Sequence, residues 1–316
     1  MWSAAVSILA GLLLAAALVI LADIDGREIL ELLFSVQPAG FAALVVLLGL
    51  NVVLAAEKWM LVEDRLTWGE SLPRPLSLAL TALGTAAGQV LPIQLATVLT
   101  RSLGARIISG SGTVRSAVSS IFEQAFDLIV VAPLGILTLV CLGTGDATGW
   151  PFLAASTLLA VLAAIGPTMR RGSAVAGKFA GHGAAGARLK RLLNSLTNSG
   201  LVDPGLARRL FLLSAARFAI LCAAAAATSE AVGLDVPALH LAAAMPLVVL
   251  ASVFVTTPAG LGVNEFTFGV VLAALGTPFD AAVEWALVNR VLVTVASLII
   301  GGIGGAILQW PRKRSA

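Results

Sequence analysis

Seven charged side chains sit inside apolar stretches of this 316-residue chain: Arg101, Glu123, Asp127, Arg217, Glu265, Glu284 and Arg290. On insertion scales a charge at bilayer depth costs at least ~2.5–3.5 kcal/mol, so such groups face a bundle interior and pair. Glu123 and Asp127 are four residues apart and share one helix face. Two acids on one face need a cationic partner, which Arg101, Arg217 or Arg290 could supply. Two readings stand side by side. One is a polar cavity that binds a charged head group or couples a proton. The other is a structural ion-pair network that fixes helix register.

Two breaks lie close to these charges. The first interrupts the apolar segment 76–105 at Gly84, Gly88 and Pro92, followed by Gln94, Thr97, Thr100 and Arg101. The second is Thr257-Pro-Ala-Gly-Leu-Gly-Val-Asn-Glu265. Small residues such as Gly260 and Gly262 let backbone break and helices approach closely. A broken helix exposes amide donors and an N-terminus that can take an anion such as phosphate. Paired breaks in the two halves of a bundle point to a transporter substrate site. A plain loop is the alternative for each.

The elements that must position these residues follow from composition. Hydrophobic residues make up 59% of the chain and charged residues 12%, against about 45–50% and roughly 25% in soluble domains. Mean hydropathy is +0.99. A soluble core of that size would leave too little polar surface to stay in water, so the solvent is a bilayer. The expected fold is an all-α polytopic membrane protein. A span needs about 20 apolar residues. Eight segments fit: 3–22, 38–56, 117–142, 150–168, 211–232, 237–256, 262–278 and 284–308. The first is read as a retained helix and not a signal peptide, because it lacks a basic start. Segment 76–105 is too broken for a simple span and is read as a re-entrant hairpin, tolerated only where buried in protein or lining a wet cavity. Segment 257–278 is a second candidate for re-entry. The whole of 1–316 is read as one integral membrane domain.

Charge orients it. Region 169–210 carries Arg170, Arg171, Lys178, Arg188, Lys190, Arg191, Arg208 and Arg209 against Asp203, and Arg312-Lys-Arg follows the last span. Acids dominate 23–31. The positive-inside rule makes 169–210 a cytoplasmic basic loop and places both termini in the cytoplasm. The net charge of +3 is spread over such loops and Tyr is absent, so no nucleic-acid face is suggested. Cys141 and Cys222 sit in apolar stretches and read as small buried hydrophobes. His182 reads as solvated and His240 as an interface residue. No metal set, cofactor motif, Walker motif or catalytic cluster is seen, so no cofactor and no enzymatic activity are expected.

Several of these motifs together resemble the flippase-like membrane domain of lysylphosphatidylglycerol synthases and its stand-alone bacterial and archaeal relatives. Ala56-Glu-Lys-Trp59 resembles that family's basic-Trp border. Gly88-Gln-Val-Leu-Pro92 and the polar helix after it resemble its Pro-Gly-Arg-x-Gly-Glu segment. Glu123-Gln-Ala-Phe-Asp127 resembles Glu-Arg-x-x-Asp, and Pro258 to Glu265 resembles Pro-x-Gly-Leu-Gly-x-x-Glu. Arg290 matches a late intramembrane Arg. Gln94, Thr97 and Gln124 depart from the family's Arg, Glu and Arg.

The resemblance implies translocation of a lipid or lipid-linked intermediate with an anionic or phosphate head group across a bacterial or archaeal cytoplasmic membrane. The substrate would be a phospholipid or a polyprenyl-phosphate-linked sugar. Arg101, Glu123, Asp127, Glu265 and Arg290 would line one polar cavity between the breaks, the backbone of Pro258, Gly260 and Gly262 with one Arg would hold the phosphate, and Gln94 and Arg217 complete the substrate-binding set. A secondary transporter of a soluble solute uses the same broken-helix logic. A scaffold that docks a glycosyltransferase or lipid synthase on the basic loop is a third reading. A second copy of the chain or an envelope-biosynthesis enzyme is the candidate protein partner.

Overall fold

The computed structural model describes residues 2–66, 72–109, 113–145, 147–179, 201, 203–254, 257 and 260–309. Among them there are eleven helices and no strand. They are α1 (Trp2–Leu21), α2 (Gly26–Phe34), α3 (Pro38–Leu66), α4 (Arg74–Ala87), α5 (Ile93–Ser109) and α6 (Thr113–Thr144). Then follow α7 (Trp150–Phe179), α8 (Pro204–Val232), α9 (Ala238–Phe254), α10 (Val263–Ala274) and α11 (Phe279–Gln309).

Five of them, α3, α6, α7, α8 and α11, are long and apolar enough to cross a membrane. The chain is therefore a polytopic all-α membrane protein. Apolar side chains cover its outside as well as its core: Val46, Ile121, Ile136, Leu159 and Leu298 are all exposed. That distribution suits a lipid solvent, where the packing contrast is between polar interior and apolar perimeter.

The first broken segment is a hairpin. Gly84 of α4 lies against Thr97 of α5, Gly88 against Ile93, and Gly104 against Leu80. This antiparallel ladder brings the start of α4 and the end of α5 to one face of the bundle. The second broken segment does the same on the opposite face. His240 at the start of α9 is hydrogen-bonded to Thr277 just beyond α10, at 3.0 Å. With 12 residues, α10 rises about 18 Å, well short of the ~30 Å hydrocarbon core. The apolar segments 237–256 and 262–278 are thus the two arms of one re-entrant unit.

Both breaks lie at mid-depth. Gln89 accepts a hydrogen bond from Thr294 at 3.1 Å, and Thr294 is at the midpoint of α11. Leu261 and Gly262 pack on Gly11, at the midpoint of α1. Gly262 has φ +79° and abuts the Gly11 carbonyl, so only glycine suits this crossing.

The halves repeat one plan in opposite orientation. A long helix is followed by a short helix, a break, a short helix and a second long helix. In the first half these are α3, α4, α5 and α6, with 29, 14, 17 and 32 residues. In the second they are α8, α9, α10 and α11, with 29, 17, 12 and 31. Packing follows the same exchange: α4 lies on α11 and α9 on α6, while α3 and α8 pair extensively at the centre. The region 169–210 is helical at both ends, in α7 up to Phe179 and in α8 from Pro204. Asp203 caps α8 through the Gly205 and Leu206 amides. Residues 180–200 and 202, His182 included, and the Arg312-Lys-Arg tail lie outside the described residues.

Candidate functional site

A cavity of about 210 Å³ opens between α3, α4, α5, α6, α8 and α9. Helical periodicity delivers its polar lining. Asn51, Ala55 and Lys58 lie on one face of α3, with Ala55 in the cavity wall and Lys58 behind it. Gln94, Thr97 and Arg101 share a face of α5, and Glu123 and Asp127 share a face of α6.

These charges form one network. The Arg101 guanidinium donates to Glu123 Oε1 at 2.6 Å, to the Ala55 carbonyl at 3.1 Å and to Thr81 Oγ1 at 3.3 Å. Lys58 Nζ lies 3.0 Å from Glu123 Oε2 and 2.5 Å from Asp127 Oδ1. Arg217 donates to Asp127 Oδ2 at 2.6 Å and to Asn51 Oδ1 at 3.0 Å. Lys58, Arg101 and Glu123 are fully buried, whereas Arg217 and Asp127 keep 18% and 28% of their side-chain surface exposed. The network therefore runs from a sealed end to an open end. Three cations face two carboxylates, so a unit of positive charge is left over.

A second set of bonds holds this arrangement in place. Glu63 of α3 accepts from Ser116 at 2.8 Å and from Ser119 of α6. Trp59 Nε1 donates to Ser119 Oγ at 2.8 Å, and the Arg101 guanidinium stacks 5.0 Å above the Trp59 ring. These contacts lock α3 to α6 at the level of Lys58. The threonines return their hydroxyl protons to carbonyls one turn back, Thr85 to Thr81, Thr97 to Ile93 and Thr100 to Ala96, which satisfies each hydroxyl donor within its own helix.

Gln94, Arg101, Glu123, Asp127 and Arg217 thus meet in one cavity. Glu265 and Arg290 do not join them. They pair with each other, 3.6 Å apart, and line a separate cavity of about 80 Å³ between α10 and α11 with Asn264 and Asn289. No described residue lines both cavities. The expectation of one shared cavity fails because each half closes around its own ion pair. Gly260 and Gly262 form the turn into α10, both at positive φ, with Gly260 against the Asn264 amide. Pro258 lies outside the described residues. Glu284 stands apart, in an open depression with Glu28 and Glu31.

Sequence reasoning missed Lys58, which reads there as part of an interfacial border. In the structure α3 continues to Leu66, so Lys58 is inside the bundle. The available signal was the spacing of Asn51, Ala55, Lys58 and Val62 on one face. Ser116 and Ser119, two turns and one turn before Glu123, were equally legible as a polar face. Among the described residues, no cluster of His, Cys, Asp and Glu could hold a metal ion.

No curated protein matches the chain. The family described as lysylphosphatidylglycerol synthase TM region matches residues 7–301, which takes in both broken hairpins, both cavities and every charge that lines them. A buried three-cation, two-acid network set between two re-entrant hairpins is thus carried on a helical membrane domain of known lineage, and the chain belongs to the lysylphosphatidylglycerol synthase transmembrane-region family.

Proposed function

We propose that this protein translocates a lipid or lipid-linked intermediate with an anionic or phosphate head group between the leaflets of the cytoplasmic membrane. One observation carries the reading: Arg101 and Arg217 line the cavity, and with Lys58 behind its wall they make three cations in ion pairs with two carboxylates, Glu123 and Asp127. In a low-dielectric site the surplus charge favours an incoming anion. Arg217, at the open end, is the group positioned to take it, because a guanidinium can hold a carboxylate and a phosphate oxygen together. Ile93 supports access from lipid. It lines the cavity and is exposed beside Leu91 and Leu95, so the polar interior meets the apolar perimeter at the tip of the first hairpin.

The chain acts here as a carrier and not as an enzyme. The face bearing α7's end and α8's start is cytoplasmic, with both termini on that side. The lipid is a phospholipid or a polyprenyl phosphate, and any protein partner is an envelope-biosynthesis enzyme or a second copy. The test is leaflet exchange in proteoliposomes, read by dithionite quenching of fluorescent phosphatidylglycerol and of a fluorescent polyprenyl phosphate. Faster exchange of either lipid than in protein-free vesicles is expected. Exchange at the protein-free rate for both would overturn the reading.

A further inference from the structure

Every carboxylate oxygen in the larger cavity already faces a cation. Glu123 meets Arg101 through Oε1 and Lys58 through Oε2. Asp127 meets Lys58 through Oδ1 and Arg217 through Oδ2. Among the described residues that line the cavity these are the only two acids. What the lining leaves free is uncharged. Gln94 of α5 and Gln124 of α6 both line it, and among the described residues no hydrogen bond or ion pair engages either carboxamide. Thr97 and Ser252, also in the lining, give their hydroxyl protons to the Ile93 and Val249 carbonyls of their own helices. Each therefore keeps an oxygen able to accept.

We infer that the phosphate this protein carries bears an uncharged polyol, a glycerol or a single sugar, and that Gln94 and Gln124 read its hydroxyls. The inference rests on the translocation reading above and names the substrate class for the same cavity. A carboxamide offers two N–H donors and a carbonyl acceptor, whereas a hydroxyl both donates and accepts. Neighbouring hydroxyls of a polyol can thus satisfy both ends of one carboxamide, and Thr97 and Ser252 can take further O–H donors. With the phosphate on Arg217 at the open end, its substituent enters the same cavity. The volume of about 210 Å³ equals that of about seven waters at ~30 Å³ each. That is room for a glycerol or one sugar ring and not for an oligosaccharide.

The same lining rejects two other kinds of head group. An ammonium, as in ethanolamine or an aminoacyl ester, only donates hydrogen bonds. It finds no unclaimed carboxylate and meets three cations set against two acids, a like-charge encounter that is costly away from water. A plain alkyl substituent displaces water from the cavity and leaves both carboxamides unpaired. A site built to hydrogen-bond a hydroxyl discriminates strongly against the analogue that lacks it.

The test is calorimetric binding to the purified full-length protein in detergent, at fixed salt and pH 7, with pairs of short-chain lipids matched in tail and phosphate charge. Dihexanoylphosphatidylglycerol is set against dihexanoylphosphatidylmethanol, and citronellyl glucosyl phosphate against citronellyl methyl phosphate. In at least one pair the polyol lipid should bind about tenfold tighter, the worth of one or two neutral hydrogen bonds. The pair that shows it tells glycerol from sugar. Dihexanoylphosphatidylethanolamine should bind more weakly than dihexanoylphosphatidylmethanol. Gln94→Met and Gln124→Met keep side-chain length and remove the amide, and each should bring the two affinities of that pair closer together. The ratio within a pair isolates the hydroxyls from any general effect on the site. Equal affinities within both pairs, tighter binding of the ethanolamine lipid, or a preference untouched by both substitutions would overturn the inference. Equal affinities with leaflet exchange intact remove the polyol and leave translocation standing. No binding of any of these lipids, together with exchange at the protein-free rate, removes both.

Discussion

Lys58 is where the residue-scale chemistry is most exposed to test. Its ammonium sits between Glu123 and Asp127, at 3.0 and 2.5 Å, on a side chain with no exposed surface. Removing one partner of a buried ion pair costs about 3–5 kcal/mol, because the other is left charged. Lys58→Met should lower the unfolding temperature in detergent and abolish leaflet exchange. The double variant Lys58→Met with Asp127→Asn keeps the wild-type surplus of one positive charge and leaves the buried Arg101–Glu123 pair intact, so it should recover most of the stability without recovering exchange. Recovery of both would mean that the network is structural alone. Arg217 separates the two roles from the other side. It is partly exposed and its loss strands less buried charge. Arg217→Gln should weaken binding of a short-chain anionic lipid about 10–100-fold, the equivalent of a charged hydrogen bond of roughly 1.5–3 kcal/mol. Binding titrations at fixed salt check this, and an unchanged affinity would remove Arg217 from the site. The Glu123 and Asp127 pair was legible from spacing alone, since four residues place both on one face. Lys58 was not, because hydropathy falls at Glu57 while the helix runs on to Leu66. Hydropathy reports which segments are apolar and is blind to a charged residue that a helix carries inward.

At the scale of elements the re-entrant hairpins depend on glycine-mediated approach to the long helices. α4 packs on α11 so closely that a Cβ at Gly304 would stand 2.8 Å from the Ala79 carbonyl oxygen and 2.9 Å from the Ala82 Cβ. At Gly302, on the opposite face, a Cβ would meet nothing within 4 Å. The two positions make a matched pair. Gly304→Leu should force α4 off α11 and destabilise the protein by several times the change at Gly302→Leu, which should stay within about 0.5 kcal/mol. Thermal unfolding in one detergent compares them directly, and equal effects would show that this contact does not hold the hairpin. Both breaks were visible in sequence because Pro92 and the Gly260–Gly262 stretch interrupt otherwise apolar runs. The fate of the arms was not. A 17-residue apolar helix such as α9 has the composition of a span whether it crosses or turns back. Only the contact of His240 with Thr277 shows that α9 and α10 share a face.

Across the whole molecule, two hairpins entering from opposite faces and ending at mid-depth leave short distances for a head group to cross on either side. That geometry requires the second break to lie inside the bundle and not on a surface. Leu261 is the residue to ask. It packs on Gly11 at the middle of α1, whereas Asp235 before α9 and Arg115 at the start of α6 are exposed on opposite faces. In a background with Cys141 and Cys222 replaced, Asp235→Cys should react with a membrane-impermeant maleimide from one side and Arg115→Cys from the other. Leu261→Cys should resist the reagent from both. If α9 crossed completely, the break would emerge beside Arg115, and Leu261→Cys would label from that face. The outcome decides between two pictures of how the same apolar segments are used. In one they are separate walls of a bundle. In the other, which the mid-depth contacts support, they are paired arms whose tips meet the long helices at the level where a polar head group has the furthest to go.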